Sequence, residues 1–220
     1  MSDLTRGQML GWLAEKDPVK LAGLFREARA CAIHHVGSKV YFRGLIECSN
    51  LCVKDCYYCG IRKGNPHVKR FAMSEAEILD CARAAHAMRY GSIVLQSGER
   101  QDEAYTRFIE TVLQKIQAET AGALGITLSL GEQTDETYER WFKAGAHRYL
   151  LRIETSASEL YEKIHPGDHS FEKRLACLRT LKRIGYQAGT GVMIGLPGQT
   201  HEDLVNDIFF FQREDIDMIG

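Results

Sequence analysis

The sequence predicts an α/β protein, a (β/α) barrel of the TIM type that is partial: about five strand–helix units plus a sixth strand, behind an N-terminal helical extension. Three observations predict it. From residue 42 onward, short apolar runs alternate with stretches of helical periodicity, which argues for a parallel sheet with right-handed crossovers. No G-x-G-x-x-G follows the first strand, which removes the main argument for an open dinucleotide-binding sheet. Polar residues (Glu47, Ser97, Glu99, Glu132, Glu154) collect at the C-terminal ends of the predicted strands, where barrel enzymes place their chemistry. A complete barrel takes about 250 residues. The 220 residues here give either an open partial barrel or a shortened closed one, with exposed outer edges on the first and last strands.

The elements follow in order. Asp17 is an N-cap with Pro18 at the first helical position, and Leu21, Leu24, Phe25, Ala28 and Ala32 recur at helical spacing up to a stop at Gly37. This helix is expected to pack on the end or side of the barrel, so residues 1–38 read as a helical segment and 39–220 as the core. Residues 42–48 form the first strand. Ser74 and Glu77 make a capping box for a helix running to about Met88. Residues 93–96 are a strand ending in Ser97-Gly98-Glu99. Tyr105, Phe108, Ile109, Val112, Leu113 and Ile116 line one face of a helix. Strands at 125–130, 149–154, 188–194 and 216–219 alternate with helices marked by Tyr138, Trp141 and Phe142, by Phe171, Leu175, Leu178 and Leu181, and by Leu204, Ile208 and Phe211.

Composition excludes several function classes. The 28 basic and 29 acidic residues leave a net charge of -1, so there is no electrostatic case for nucleic acid or a membrane surface. No apolar run approaches the ~20 residues of a membrane span. Residues 1–13 carry no signal-peptide core. Seven cysteines without an export signal point to a reducing cytoplasm, where clustered cysteines are metal ligands or catalytic groups more often than disulfides.

Three of those cysteines, Cys52, Cys56 and Cys59, fall within eight residues directly after the first strand. Structural zinc takes four protein ligands, and the nearest fourth candidates are poor: Cys48 belongs to the strand, and His67 has no partner at finger-like spacing. An iron–sulfur cluster on three thiolates leaves one iron open for a substrate or cofactor. The adjoining Tyr57-Tyr58 would shield such a centre from water. Cys31, Cys81 and Cys177 read as small buried hydrophobes, and the eight histidines show no metal spacing.

A C-x3-C-x2-C loop after the first strand of a barrel, with an aromatic residue before the third cysteine, resembles the radical S-adenosylmethionine (SAM) superfamily. Further blocks resemble its HydE-type [FeFe]-hydrogenase maturases: Glu47-Cys48-Ser49-Asn50-Leu51-Cys52, Cys59-Gly60-Ile61-Arg62-Lys63-Gly64-Asn65, Val94-Leu95-Gln96-Ser97-Gly98-Glu99, Thr127-Leu128-Ser129-Leu130-Gly131-Glu132, Arg148-Tyr149-Leu150-Leu151-Arg152 with Glu154-Thr155, and Gly195-Leu196-Pro197-Gly198-Gln199-Thr200. Two departures stand out. Cys48 stands where the family has an apolar or aromatic residue, and the chain stops before the last strands that complete the family's barrel.

The resemblance implies the following. Cys52, Cys56 and Cys59 hold a [4Fe-4S] cluster whose fourth iron is chelated by the amino and carboxylate groups of SAM. One-electron reduction splits SAM into methionine and a 5′-deoxyadenosyl radical. Glu154 holds the ribose hydroxyls, Arg174 the carboxylate and Ser97 the amino group. Glu99 is either a further SAM contact or a charge at a helix N-terminus. Met193, between Gly191 and Gly195 on one strand face, offers a surface for adenine. Gln96, Thr127, Ser129 and Arg152 face the substrate cavity. The substrate is an organometallic iron species or another small molecule. Partners are HydG-type and HydF-type maturation proteins and a ferredoxin or flavodoxin as electron donor, in an anaerobic cytoplasm. Two rival readings stay open: another SAM-dependent synthase of the biotin-synthase kind, and a non-catalytic iron–sulfur or zinc binding module. For Arg152 and Glu154 a structural ion pair with a strand-end neighbour is the alternative, for Arg174 a solvated surface arginine, and for Gln96 and Thr127 a satisfied barrel interior.

Overall fold

The structure is a computed structural model and describes residues 4–220. Two helices lead in: α1 (Arg6–Ala14), with a Thr5/Gln8 capping box, and α2 (Pro18–Val36), capped by Asp17. The alternating part follows as β1 (Gly44–Ser49), α3 (Glu75–Ala87), β2 (Ser92–Ser97), α4 (Glu103–Glu119), β3 (Gly125–Ser129) and α5 (Asp135–Lys143). It continues as β4 (Ala146–Leu150), α6 (Ser158–Ile164), α7 (Phe171–Ile184), β5 (Gln187–Thr190), α8 (His201–Arg213) and β6 (Met218–Ile219). The strands form one six-stranded parallel sheet in sequential order. Each crossover carries a helix, as parallel neighbours require.

The core lies between the sheet's outer face and the helices. Ile46 and Cys48, Ile93 and Leu95, and Ile126 and Leu128 are the period-two sets of β1, β2 and β3 that face outward. They meet Ile78 and Ala82 of α3, Ile109, Leu113 and Ile116 of α4, Tyr138 and Trp141 of α5, and Leu178 and Leu181 of α7. Each fully buried large apolar side chain contributes about 1.5–3 kcal/mol. The inner face is more polar and leaves Glu47, Gln96, Ser129 and Leu150 lining a cavity. The sheet is curved: Arg43, just before β1, places Nη1 3.6 Å from the Met218 sulfur in β6. Among the described residues no ladder joins β1 to β6, so the barrel is open there.

Several expected boundaries need correction. The fourth strand is paired over Ala146–Leu150 rather than 149–154. Leu151 and Ile153 are buried beyond it, held to β5 by Leu151 N–H to Gly189 O and Ile153 N–H to Thr190 Oγ1, and the ladder resumes as a single bridge from Glu154 to Val192. The fifth strand ends at Thr190, so Met193 and Gly195 lie in the connection beyond it. α1 and α6 were not expected. α2 buries none of its residues, leaving Val19, Phe25 and Val36 exposed; it is α1 that docks, through Arg6 onto Asn206 and Glu202 of α8. Cys81 is exposed rather than buried.

Candidate active site

The segment between β1 and α3 is built around its three thiols and stitched to its surroundings. The end of β1 is irregular at Cys48, where the register with β2 shifts. Following the alternation set by Ile46, Cys48 points into the helix-side core, 2% exposed, with its sulfur 3.6 Å from the Ile46 carbonyl. Beyond it, Val53 N–H donates to Glu99 O (2.9 Å), Tyr57 N–H to Ile164 O (3.0 Å) and Asp55 N–H to His169 Nε2 (3.2 Å). Arg70 donates to the carbonyls of Asn50, Ile61 and Arg62 at 2.7 Å each. Gly98 passes so close to the loop that a Cβ there would lie 2.7 Å from that of Cys52. Only glycine allows this approach.

Cys52, Cys56 and Cys59 line one cavity of about 410 Å³ at the C-terminal ends of the strands. Ser97, Gly98 and Glu99 after β2, Ser129 and Gly131 after β3, Arg152 and Glu154 after β4, and Arg174 of α7 share it. Burial pushes the Cys52 thiol up, and Cys56 up to about 11. Both need a cation before they ionise, so metal loading releases protons. Cys48 lines a different cavity on the helix side, and burial raises its thiol to about 12. It stands apart from the other three. Among the described residues no three His, Cys, Asp or Glu side chains close around a single metal ion. The donor set suits a cluster, whose thiolates each bind a different iron.

Under the loop lies a buried group of four charges. Lys54, between the first two cysteines, donates to Glu132 Oε2 at 2.9 Å and stands 3.6 Å from Glu99 Oε1. Arg174 donates through Nε to Glu132 Oε1 at 2.6 Å and through Nη1 to the Arg152 carbonyl at 2.8 Å. Two cations and two carboxylates balance, which is what makes their burial tolerable. The two carboxyls are driven apart. For Glu132, burial raises its pKa, but Arg174 and Lys54 together hold it below the usual range. For Glu99, burial and the Glu132 charge win over Lys54 and raise it.

Glu154 comes next to the cysteines by a strained route. Its φ is +68°, a left-handed conformation a non-glycine residue holds only when its surroundings require it. Its N–H donates to Gly191 O and its carbonyl accepts from Met193 N–H, which fixes it across from the β5 connection. The side chain is 7% exposed, with Oε1 3.1 Å from the Tyr58 hydroxyl.

The chain belongs to the radical SAM superfamily. The family model matches residues 46–211, the part that carries every feature just described, and the family's cofactors are a [4Fe-4S] cluster and SAM. The chain is 46% identical over 198 residues to the [FeFe] hydrogenase maturase subunit HydE of Thermotoga maritima, covering 90% of this chain and 55% of that one. It is 27% identical over 211 residues to biotin synthase of Bacillus cytotoxicus, covering 94% and 62%. Among solved structures, methylornithine synthase superposes with a TM-score of 0.89 at 26% identity over 99% of this chain and 63% of that one. The hydrogenase maturase HydG of Carboxydothermus hydrogenoformans superposes at 0.85, 23% identity, over 98% and 52%, a likeness of fold. The chain thus spans little more than half the length of the curated relatives it matches.

Of the residues the sequence pointed to, Cys52, Cys56, Cys59, Ser97, Glu99, Glu154, Arg174, Gln96, Ser129 and Arg152 converge on the one cavity of this radical SAM fold. Four expectations are corrected. Glu99 is not at a helix N-terminus, since Asp102 caps α4. Its oxygens are engaged: Oε2 by Glu132 N–H at 2.8 Å, and Oε1 by Gln101 at 3.0 Å beside Lys54. It anchors the charge group from within the cavity lining. Met193, past the end of β5, lies outside the cavity lining. Thr127 is buried at 2% exposure and outside it too, its hydroxyl without a partner among the described residues. For Arg152 and Glu154 the alternative of an ion pair with a strand-end neighbour is not realised among the described residues: Arg152 is exposed and the buried arginine is Arg174. Ser97 is present but occupied: it donates to Gly98 O and accepts from Tyr105, both at 2.6 Å, which leaves one lone pair. Sequence reasoning missed Lys54, His165 and His169 near the site; it noted Glu132 only as an acid at a strand end and Tyr58 only as part of an aromatic pair beside the cysteines.

Proposed function

We propose that this chain is the SAM-cleaving core of a HydE-type maturase that acts in assembly of the di-iron subcluster of [FeFe]-hydrogenase. The observation that carries the reading is the single cavity that brings the three thiols of Cys52, Cys56 and Cys59 together with Glu154 and Arg174. The 46% identity to HydE, against 27–29% to biotin and 3-methylornithine synthases, favours the maturase over its relatives. When bound, the cluster supplies the electron that cleaves the carbon–sulfur bond of SAM.

The chain's own residues hold and orient. Cys52, Cys56 and Cys59 are the cluster ligands. Glu154 is a two-oxygen acceptor suited to the ribose hydroxyls. Two bonds of Arg174 go to Glu132 and Arg152 O, leaving its second terminal nitrogen for the carboxylate of SAM. The remaining lone pair of Ser97 accepts from the SAM amino group. Gln96, Ser129 and Arg152 line the substrate side, where an organometallic iron species made by a HydG-type maturase would bind before transfer towards a HydF-type protein. A ferredoxin or flavodoxin in an anaerobic cytoplasm would supply the electron. No helix among the described residues is long and apolar enough to cross a membrane.

Anaerobic reconstitution tests this. One [4Fe-4S] cluster per chain, an EPR signal that shifts on adding SAM, and release of 5′-deoxyadenosine on reduction are expected. Bound zinc, or a cluster indifferent to SAM, would overturn the reading.

A further inference from the structure

The cysteine loop borders two cavities. Besides the inner one, Cys52 lines a second, of about 310 Å³, completed by Leu51, Val53, Lys63, Arg70 and Arg100. Cys52 is the one residue the two linings share, and neither Cys56 nor Cys59 reaches the second. The Cys52 sulfur is held between them by Glu99 N–H at 3.3 Å.

The two linings differ in charge. The inner one sets Glu47, Glu99 and Glu154 beside Lys54, Arg152 and Arg174. The outer one has three cations and no acid. Arg100 is answered from outside it, through Nε to Asp102 Oδ2 at 2.9 Å. Arg70 gives its donors to the backbone carbonyls of Asn50, Ile61, Arg62 and Asn65, which fixes the guanidinium and leaves its charge uncancelled. Lys63 is exposed. The acid nearest it in the loop, Asp55, accepts from Gly64 N–H at 2.9 Å and stands 4.0 Å from Arg62. Val53, 53% exposed, puts an apolar side chain on this face while its N–H is tied to Glu99 O.

Reductive cleavage of SAM consumes one electron, which has to come from outside the chain. The inner cavity, at about 410 Å³, has the dimensions of a small-molecule site and admits no protein. Cys52 is where that cavity meets the outer face. We propose that the face formed by Val53, Lys63, Arg70 and Arg100 docks an acidic one-electron carrier protein, which delivers its electron past Cys52. The proposal rests on the reading of Cys52, Cys56 and Cys59 as cluster ligands. In this step the carrier is oxidised by one electron and the cluster reduced by one, and no bond or proton changes hands. Complementary charge at such a face raises the encounter rate more than the affinity, which suits a partner that must leave after each transfer.

The test uses the anaerobically reconstituted chain and a reduced bacterial two-cluster ferredoxin as the acidic carrier. Stopped-flow absorbance gives the second-order rate of cluster reduction by the ferredoxin, divided by the rate with photoreduced 5-deazaflavin, a small reductant that needs no docking face. Lys63→Glu should lower this ratio roughly tenfold at low salt, the lower end of electrostatic steering. The difference should shrink towards 1 M salt, where the Debye length is about 3 Å. Val53→Asp should lower the ratio in the same way. Lys143→Glu, a reversal on the exposed side of α5, should keep the native ratio. A ratio unmoved in Lys63→Glu, or one lowered equally in Lys143→Glu, overturns the proposal. Zero-length carbodiimide coupling gives a readout independent of turnover: Lys63 of the unaltered protein should join to a ferredoxin carboxylate, located by peptide mass. Coupling only at other lysines, or of Lys63 to a second copy of this chain, overturns it. A cluster that the ferredoxin reduces normally but that does not respond to SAM would overturn the proposed function instead and leave the docking face standing.

Discussion

Removing Glu132 tests the buried charge group. This carboxylate is 1% exposed and joins Lys54 of the cysteine loop to Arg174 of α7, at 2.9 and 2.6 Å. Glu132→Leu leaves two buried cations with only Glu99 nearby, 3.6 Å from Lys54. Breaking a buried pair this way costs about 3–5 kcal/mol. Glu132→Gln keeps an acceptor and loses the charge, so it should cost about 1.5–3 kcal/mol, the range for hydrogen bonds to charged groups. The assay is urea unfolding of the metal-free chain, read as a lower midpoint at unchanged slope. Because Arg174 and Lys54 depress the Glu132 carboxyl against its burial, its stabilisation is present above the unfolded-state pKa and lost as pH falls through the folded one. The native protein should therefore lose stability below about pH 4 in part through Glu132, and Glu132→Gln should lose less over that range. A Glu132→Leu penalty below about 1 kcal/mol, the scale of exposed pairs, would refute the account of this group as the tie between loop and helix.

Three further outcomes are expected. Glu154→Gly should be more stable to heat than Glu154→Ala by about 1 kcal/mol, because the +68° φ strains any residue with a Cβ; equal melting points would remove the strain argument. Gly98→Ala should keep its far-UV spectrum and lose most of its reconstituted iron, since its Cβ would meet Cys52 at 2.7 Å; full iron content would show that the loop yields. Serine at Cys52, Cys56 or Cys59 should abolish the cluster absorbance, while Cys48→Ser should retain it, and iron loss in Cys48→Ser would make that thiol a ligand.

What could be read in advance follows from how local each cause is. The cysteine spacing, the Ser74 capping box and the six-residue face of α4 lie within single segments, and the structure carries all three. α1 was missed although Thr5 and Gln8 make a capping box for it, and α6 because its seven residues have no side-chain cap. The fourth strand was placed late because Leu151 and Ile153 are as apolar as strand residues, although the regular ladder with β5 ends at Leu150 and only separate bonds, such as Leu151 N–H to Gly189 O and Ile153 N–H to Thr190 Oγ1, continue it. The charge group and the contacts of Tyr58 with Glu154 and His165 were invisible for a deeper reason. Lys54, Glu99, Glu132 and Arg174 come from four separate segments, and His165 reaches Tyr58 across 107 positions. Nothing in any one stretch marks its partner. Even Glu99 and Ser97, both in the cavity lining, have their hydrogen bonds set by neighbours, Glu132 N–H and Tyr105, which only the folded chain brings to them.

The stitching of the cysteine loop bears on how metal enters. Strand ends, α6, α7's approach and Arg70 together hold the backbone of residues 50–65. The entropy of ordering about a dozen residues, roughly 1–2 kcal/mol each, is then met by folding of the barrel and not by the metal. Loading the cluster differs in kind from the folding of a zinc finger, where ligand binding and chain ordering are one event. Here the chain supplies a finished mould. The work left to the incoming iron is to displace the protons that burial keeps on Cys52 and Cys56.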